Sequence, residues 1–164
     1  MNNFSSAEKI ADYIVGKCVK NKTFINFHML QYILFFIQCN FIKNFNILAF
    51  SDSIKAYNYG PGVKGLKKKY KNIEYYFNDN IIYFPQRKES EILFAEISYK
   101  TVIDIIIETC IEIGEKELKN RLTKTGTPWY INYSTFFDGC SKTNKIPIKE
   151  IINYMERDLN NIKN

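Results

Sequence analysis

The chain has 164 residues, one domain's worth of material, and its 46% hydrophobic and 24% charged residues exclude a disordered composition. No apolar run reaches the roughly 18 residues a membrane-spanning helix needs, with Ile81–Phe84 and Ile103–Ile107 far too short. The net charge of +6 invites a nucleic-acid reading, but only Arg87, Arg121 and Arg157 are arginine, the residue that does most bidentate base readout.

Taken in chain order, Ser5-Ser6-Ala7-Glu8 fits a capping box, in which a serine oxygen meets the first free amides and Glu8 folds back. The helix it opens runs to about Lys20, with Ile10, Ile14, Val15 and Cys18 on one face. Asn26 caps a second helix reaching about Asn44. Leu30, Leu34, Ile37 and Phe41 recur at three- and four-residue steps, and Ile33, Phe35 and Phe36 fill the other side, so this helix is central. The period then changes. Ile47–Phe50, the turn pair Asp52-Ser53 and Ile54–Tyr59 read as a small hairpin. Gly60-Pro61-Gly62 breaks it, and Val63–Lys71 resumes as a short, very basic helix. Residues 72–88 carry turn signals at Asn78-Asp79-Asn80 and Pro85 and leave the element type open. From Glu89 to Ile113 the longest helix carries a buried stripe of Ile92, Ala95, Tyr99, Val102, Ile106, Cys110 and Ile113, and Gly114 stops it. A short helix over Glu115–Thr123 precedes the turn Gly126-Thr127-Pro128-Trp129. Asp138–Lys145 is a loop, and Pro147 opens a terminal amphipathic helix with Ile148, Ile151, Ile152, Met155 and Leu159 inside. The fold class is mainly α (α+β): a compact helical domain with a small β-hairpin inserted after the second helix. No linker or repeat divides residues 1–164, so they form a single domain.

No residue pattern carries catalytic chemistry. Phosphate-loop, dinucleotide and zinc-protease motifs are missing, and no Ser or Cys has a His–acid relay. Glu108 and Glu112, one turn apart, read as a solvated pair. Cys18, Cys39, Cys110 and Cys140 are scattered with no C-x-x-C pair, and Met1–Ser6 shows no signal-peptide pattern. They read as reduced thiols of a cytoplasmic protein. His28 is the single histidine, with no ligand at metal spacing, so neither a metal nor another cofactor is expected.

Two segments stand out. In Ala56–Lys64, Tyr57 and Tyr59 end a strand before Gly60-Pro61-Gly62 turns the backbone into a helix start. With Lys64, Lys67, Lys68 and Lys69 this makes either a positive patch for an acidic partner or phosphate, or a tight turn with both tyrosines in the core. Around Leu122–Tyr130, the Pro128-Trp129 step holds a large amphipathic ring as either a core plug or an interface anchor, with Tyr130 beside it.

In order along the chain, these segments resemble the Panacea domain, the SocA-like family of antitoxins often found in prophages and mobile elements. Phe24–Phe35 matches its "I-T-x-x-x-L-Q-K-L-L-Y" segment. Phe50-Ser51-Asp52, Ala56–Val63 and Lys69-Tyr70-Lys71 match its Ser-Asp turn, "A-W-x-x-G-P-V" and "Y-x-x-Y/F-K". Leu122–Trp129 matches "L-S/T-H-x-x-x-P-W", and Ile146–Met155 the closing helix. The chain departs from the pattern with Tyr32 for Lys, Tyr57 for Trp, an extra Gly62 and Lys124 for His, which marks a diverged member. The resemblance implies a mainly helical domain that neutralises a cognate toxin by direct contact, in one branch by presenting it to a protease. The expectation is an antitoxin-like binding protein, not an enzyme, with Tyr57, Tyr59, Pro61, Lys64, Lys67, Lys68, Trp129 and Tyr130 as partner-binding residues. The partner is a toxin or, alternatively, a host defence nuclease inhibited in the manner of an anti-CRISPR. A nucleic-acid-binding regulator using Lys64–Lys71 is the reading from another class.

Overall fold

The computed structural model of the protein describes residues 3–73 and 97–162. They form a mainly α fold with two small β elements. Strand β1 (Asn3–Ser5) leads into helix α1 (Ala7–Lys20), and α2 (Phe27–Phe45) follows. Three strands come next: β2 (Leu48–Phe50), β3 (Ile54–Tyr57) and β4 (Gly60–Val63). The remaining helices are α3 (Lys67–Tyr70), α4 (Ile97–Ile113), α5 (Glu115–Thr123), α6 (Pro128–Phe137) and α7 (Ile148–Ile162). No helix among the described residues is long and apolar enough to cross a membrane.

Helix α2 is the centre, as its all-round apolar sequence requires. Tyr32, Ile33, Leu34, Ile37 and Phe41 are fully buried, and β2, β4, α1, α4, α5 and α7 all pack on it. Asn26 caps it, its side-chain oxygen accepting from the Met29 amide at 2.9 Å, and Asn46 ends it in the left-handed conformation. Two glutamines, seven residues apart and therefore on one face, tie this helix to the strands. The Gln38 Oε1 accepts from the Ala49 and Phe50 amides at 2.9 and 3.2 Å, and its Nε2 donates to the Phe50 carbonyl at 3.1 Å. The Gln31 Oε1 accepts from the Val63 amide at 2.7 Å.

Four sequence expectations are corrected. The cap of α1 is Ser6, bonded to the Lys9 amide, not a Ser5–Glu8 box. Glu8 reaches across to Lys69 instead, and the Asp52 carboxylate accepts from the Ala7 amide at 2.9 Å. Ile47–Phe50 does not pair with the strand after it: β2 runs parallel to β1, while β3 pairs antiparallel with β4. Gly60-Pro61-Gly62 therefore forms the second hairpin strand and not a break, with the turn at Asn58-Tyr59. The basic helix is confined to Lys67–Tyr70.

In α4 the buried stripe is Ile103, Ile106, Ile107 and Cys110. Tyr99, Val102 and Ile113 are only partly buried, and Ile92 and Ala95 lie outside the described residues. On its flank Asp104 clamps α4 to α1, accepting from the Tyr13 hydroxyl at 2.6 Å and pairing with Lys17 at 2.9 Å and Lys100 at 3.1 Å. Partial burial works against the Asp104 charge, but the Tyr13 hydroxyl and the two ammoniums outweigh it and hold its pKa below the ordinary carboxylate value. A depressed pKa contributes stability that is present above the unfolded value of about 3.9 and is lost as pH falls through the folded one. Urea unfolding is expected to show Asp104→Asn clearly less stable than wild type at pH 7, with the gap closing below pH 3. A gap independent of pH would refute the clamp.

Candidate interaction surface

The hairpin gathers several of the singled-out residues. Its tyrosines form a ring stack with a residue of α2: His28 and Tyr59 are 4.5 Å apart at 18°, and Tyr59 and Tyr57 are 5.2 Å apart at 15°. The Tyr32 hydroxyl donates to the Tyr59 carbonyl from below. Tyr57 and Tyr59 are therefore half-buried, neither core residues nor free anchors. Burial raises both phenols above their ordinary pKa, and the neighbouring phenols add to this for Tyr59, so both hydroxyls remain protonated donors. Pro61 is buried in β4 opposite Ala56.

Trp129 is the core plug of its two readings. It is 9% exposed, and its indole Nε1 donates to the Tyr57 carbonyl at 2.7 Å. Pro128 is not in a turn but is the first residue of α6, capped by the Thr127 oxygen that accepts from the Tyr130 amide. That is where proline suits a helix, since its missing N–H is one of the unpaired ones. The helix start puts Trp129, Tyr133 and Phe137 at four-residue spacing on one side. Trp129 stacks on Tyr133 at 4.6 Å, and Tyr133 lies parallel to Phe137 at 6.2 Å. The row runs from the core to open solvent, where Phe137 is 77% and Phe136 44% exposed. Tyr130 and Ile131 are exposed on the same helix. Sequence reasoning passed over Tyr133, Phe136 and Phe137, although the i, i+4, i+8 spacing after Thr127-Pro128 was the available signal.

The lysines separate into two kinds. Lys64, Lys67 and Lys68 are exposed. Lys69 is structural, with its Nζ 2.7 Å from Asp12 and 2.9 Å from Glu8. With only four residues, α3 has no helix start that could serve as an anion site. Lys55 was missed altogether. It faces outward from β3 and lies directly opposite Lys145, which bridges to the other side of that strand.

Three thiols are poor nucleophiles. Burial pushes Cys18 up to about 11, and Cys39 and Cys110 up to about 12, while Cys140 is exposed. Glu108 and Glu112 are exposed, and Glu108 pairs with Lys17 at 3.1 Å. Comparison with protein-family models, curated proteins and solved structures gives no match.

Proposed function

We propose that the protein is an antitoxin-like inhibitor that neutralises one partner protein by forming a stoichiometric complex through helix α6. The observation that carries this reading is the exposed aromatic end of that helix. Seven of the ten residues of Pro128–Phe137 are apolar or aromatic, more than one core-facing side needs. Here Tyr130, Ile131, Phe136 and Phe137 remain in contact with water. Exposed apolar residues gathered on one helix mark protein contact sites, where aromatic residues supply most of the binding energy. The order of segments resembling the Panacea domain supports an antitoxin role for such a binder.

Inhibition of the product of the neighbouring gene, or of a defence nuclease of the host, is expected to titrate to an end point near one equivalent. Phe136→Ser with Phe137→Ser is expected to weaken that complex at least about thirtyfold, the loss typical of an interface hot spot of about 2 kcal/mol. Its melting temperature should be near that of wild type, because the rings it loses are already exposed. Full inhibition at a small fraction of one equivalent would mean turnover and would overturn the reading.

A further inference from the structure

The outward face of the hairpin carries charge that nothing in the described residues balances. Strand β3 is flanked on both sides, by β4 and by the Asn144–Ile146 segment that returns from α6. The Ala56 amide donates to the Asn144 carbonyl and the Ile146 amide to the Ile54 carbonyl. Lys55 and Lys145 are thus a non-hydrogen-bonded antiparallel pair, the arrangement that brings facing side chains closest. Like charges so placed repel. On its other side Lys55 faces Gly62, and two residues further along that strand Lys64 pairs back to Ser53, its amide donating to the Ser53 carbonyl at 2.8 Å. Side chains two apart share a face, so Lys64 joins the same row.

Among the described residues no carboxylate pairs with these three lysines. Asp52 is held by the Ala7 amide, Glu150 by Asn132, and Glu8 and Asp12 by Lys69. The tyrosines lean over this row. A Cβ added to Gly62 would lie 2.9 Å from the Tyr59 hydroxyl and 3.0 Å from the Tyr57 ring. The glycine therefore leaves room for the Tyr59 phenol over the backbone between Lys55 and Lys64.

We propose that this face, Lys55, Lys145 and Lys64 with the Tyr59 hydroxyl, docks an acidic segment of the partner protein, with aspartate or glutamate carboxylates meeting the lysine row. The inference rests on the protein-binding reading above and names the chemistry of the partner. Charge complementarity selects an anion. Two features select a protein over nucleic acid. Tyr59 is closed between His28 and Tyr57, so its ring offers no free face for a base to stack on. Helix α6 packs against β3, and the aromatic residues exposed on that helix ask for an apolar complement that a phosphate backbone lacks.

The test is an amide chemical-shift titration of the full chain at 0.15 M salt with octaglutamate, and separately with a 12-base-pair DNA duplex. Octaglutamate is expected to give saturable shifts centred on Lys55, Gly62, Lys64 and Lys145. Lys55→Ser, Lys64→Ser and Lys145→Ser combined should weaken that binding about tenfold. Unaltered binding by the triple variant, or shifts spread equally over Lys67, Lys68 and other surface lysines, would overturn the proposal. Tighter binding of the duplex at the same residues would replace it with a nucleic-acid site. A triple variant that still inhibits at one equivalent with undiminished affinity would sink this inference and spare the inhibitor reading. Octaglutamate binding as expected, with no stoichiometric inhibition of any partner, would do the reverse.

Discussion

Replacing Gln38 by leucine is expected to lower stability by about 3–5 kcal/mol, although leucine suits both a helix and a core. The side chain is fully buried on α2 and satisfies three backbone groups of β2: the Ala49 and Phe50 amides and the Phe50 carbonyl. Leucine fills the space and leaves polar groups of β2 dry and unpaired, and each such group costs about 1–3 kcal/mol. For a domain of this size, that loss corresponds to a fall in melting temperature of about 6–20 °C. The damage is expected to reach the interaction surface. Strand β2 leads directly through Ser51-Asp52-Ser53 into β3, and Asp52 is the group that holds the start of α1. Thermal unfolding followed by circular dichroism measures the effect. A leucine variant melting within about 2 °C of wild type would show that α2 does not hold the strands through this side chain.

Gln38 also shows what a sequence conceals. Helix starts were legible where the signal is local. Asn26 caps α2, the reading Glu115–Thr123 coincides with α5, and Pro147 directly precedes α7. Strand partners were not legible, because they depend on contacts far away in the chain. Asp52-Ser53 has the composition of a hairpin turn, yet the Asp52 carboxylate is used 45 residues back on the Ala7 amide. Gly60-Pro61-Gly62 reads as a break from its composition. In the register of β3 and β4, Lys64 bonds to Ser53, so by alternation Pro61 opposite Ala56 takes a position whose N–H would point away from β3. The neighbouring outward amide at Val63 is the one Gln31 receives. At the candidate surface, Tyr57, Tyr59 and Trp129 drew notice by type, and the structure does bring them together. Lys55 and Lys145 did not, because only the pairing of strands 90 positions apart makes two ordinary lysines a charged pair.

The same limit governs the run Lys67-Lys68-Lys69, whose members the sequence cannot distinguish, and it leads to the second large expected effect. Asp12→Ala is expected to destabilise the protein by about 2–4 kcal/mol. Asp12 is 8% exposed on α1, and it accepts from the Tyr70 hydroxyl at 2.6 Å and from the Lys69 Nζ at 2.7 Å. Losing one member of a buried ion pair typically costs about 3–5 kcal/mol. The figure is set lower here because Lys69 is about one-third exposed and Tyr70 also donates to the Glu8 carbonyl at 3.2 Å. Partial burial disfavours the Lys69 ammonium, but hydrogen bonds and charge from Asp12 and Glu8 outweigh it and raise its pKa above the ordinary lysine value. A raised pKa contributes stability that is complete below the unfolded value of about 10.4 and is lost as pH climbs through the folded one. The stability gap between wild type and Lys69→Met is therefore expected to hold from pH 6 to pH 10 and to narrow above it. By contrast, Lys64→Ser, Lys67→Ser and Lys68→Ser, singly, should each shift stability by less than about 0.5 kcal/mol, as solvated surface charges do. Chemical denaturation of the five variants across that range separates the two kinds of lysine. Equal effects at Lys68 and Lys69 would mean that Lys69 does not join α3 to α1.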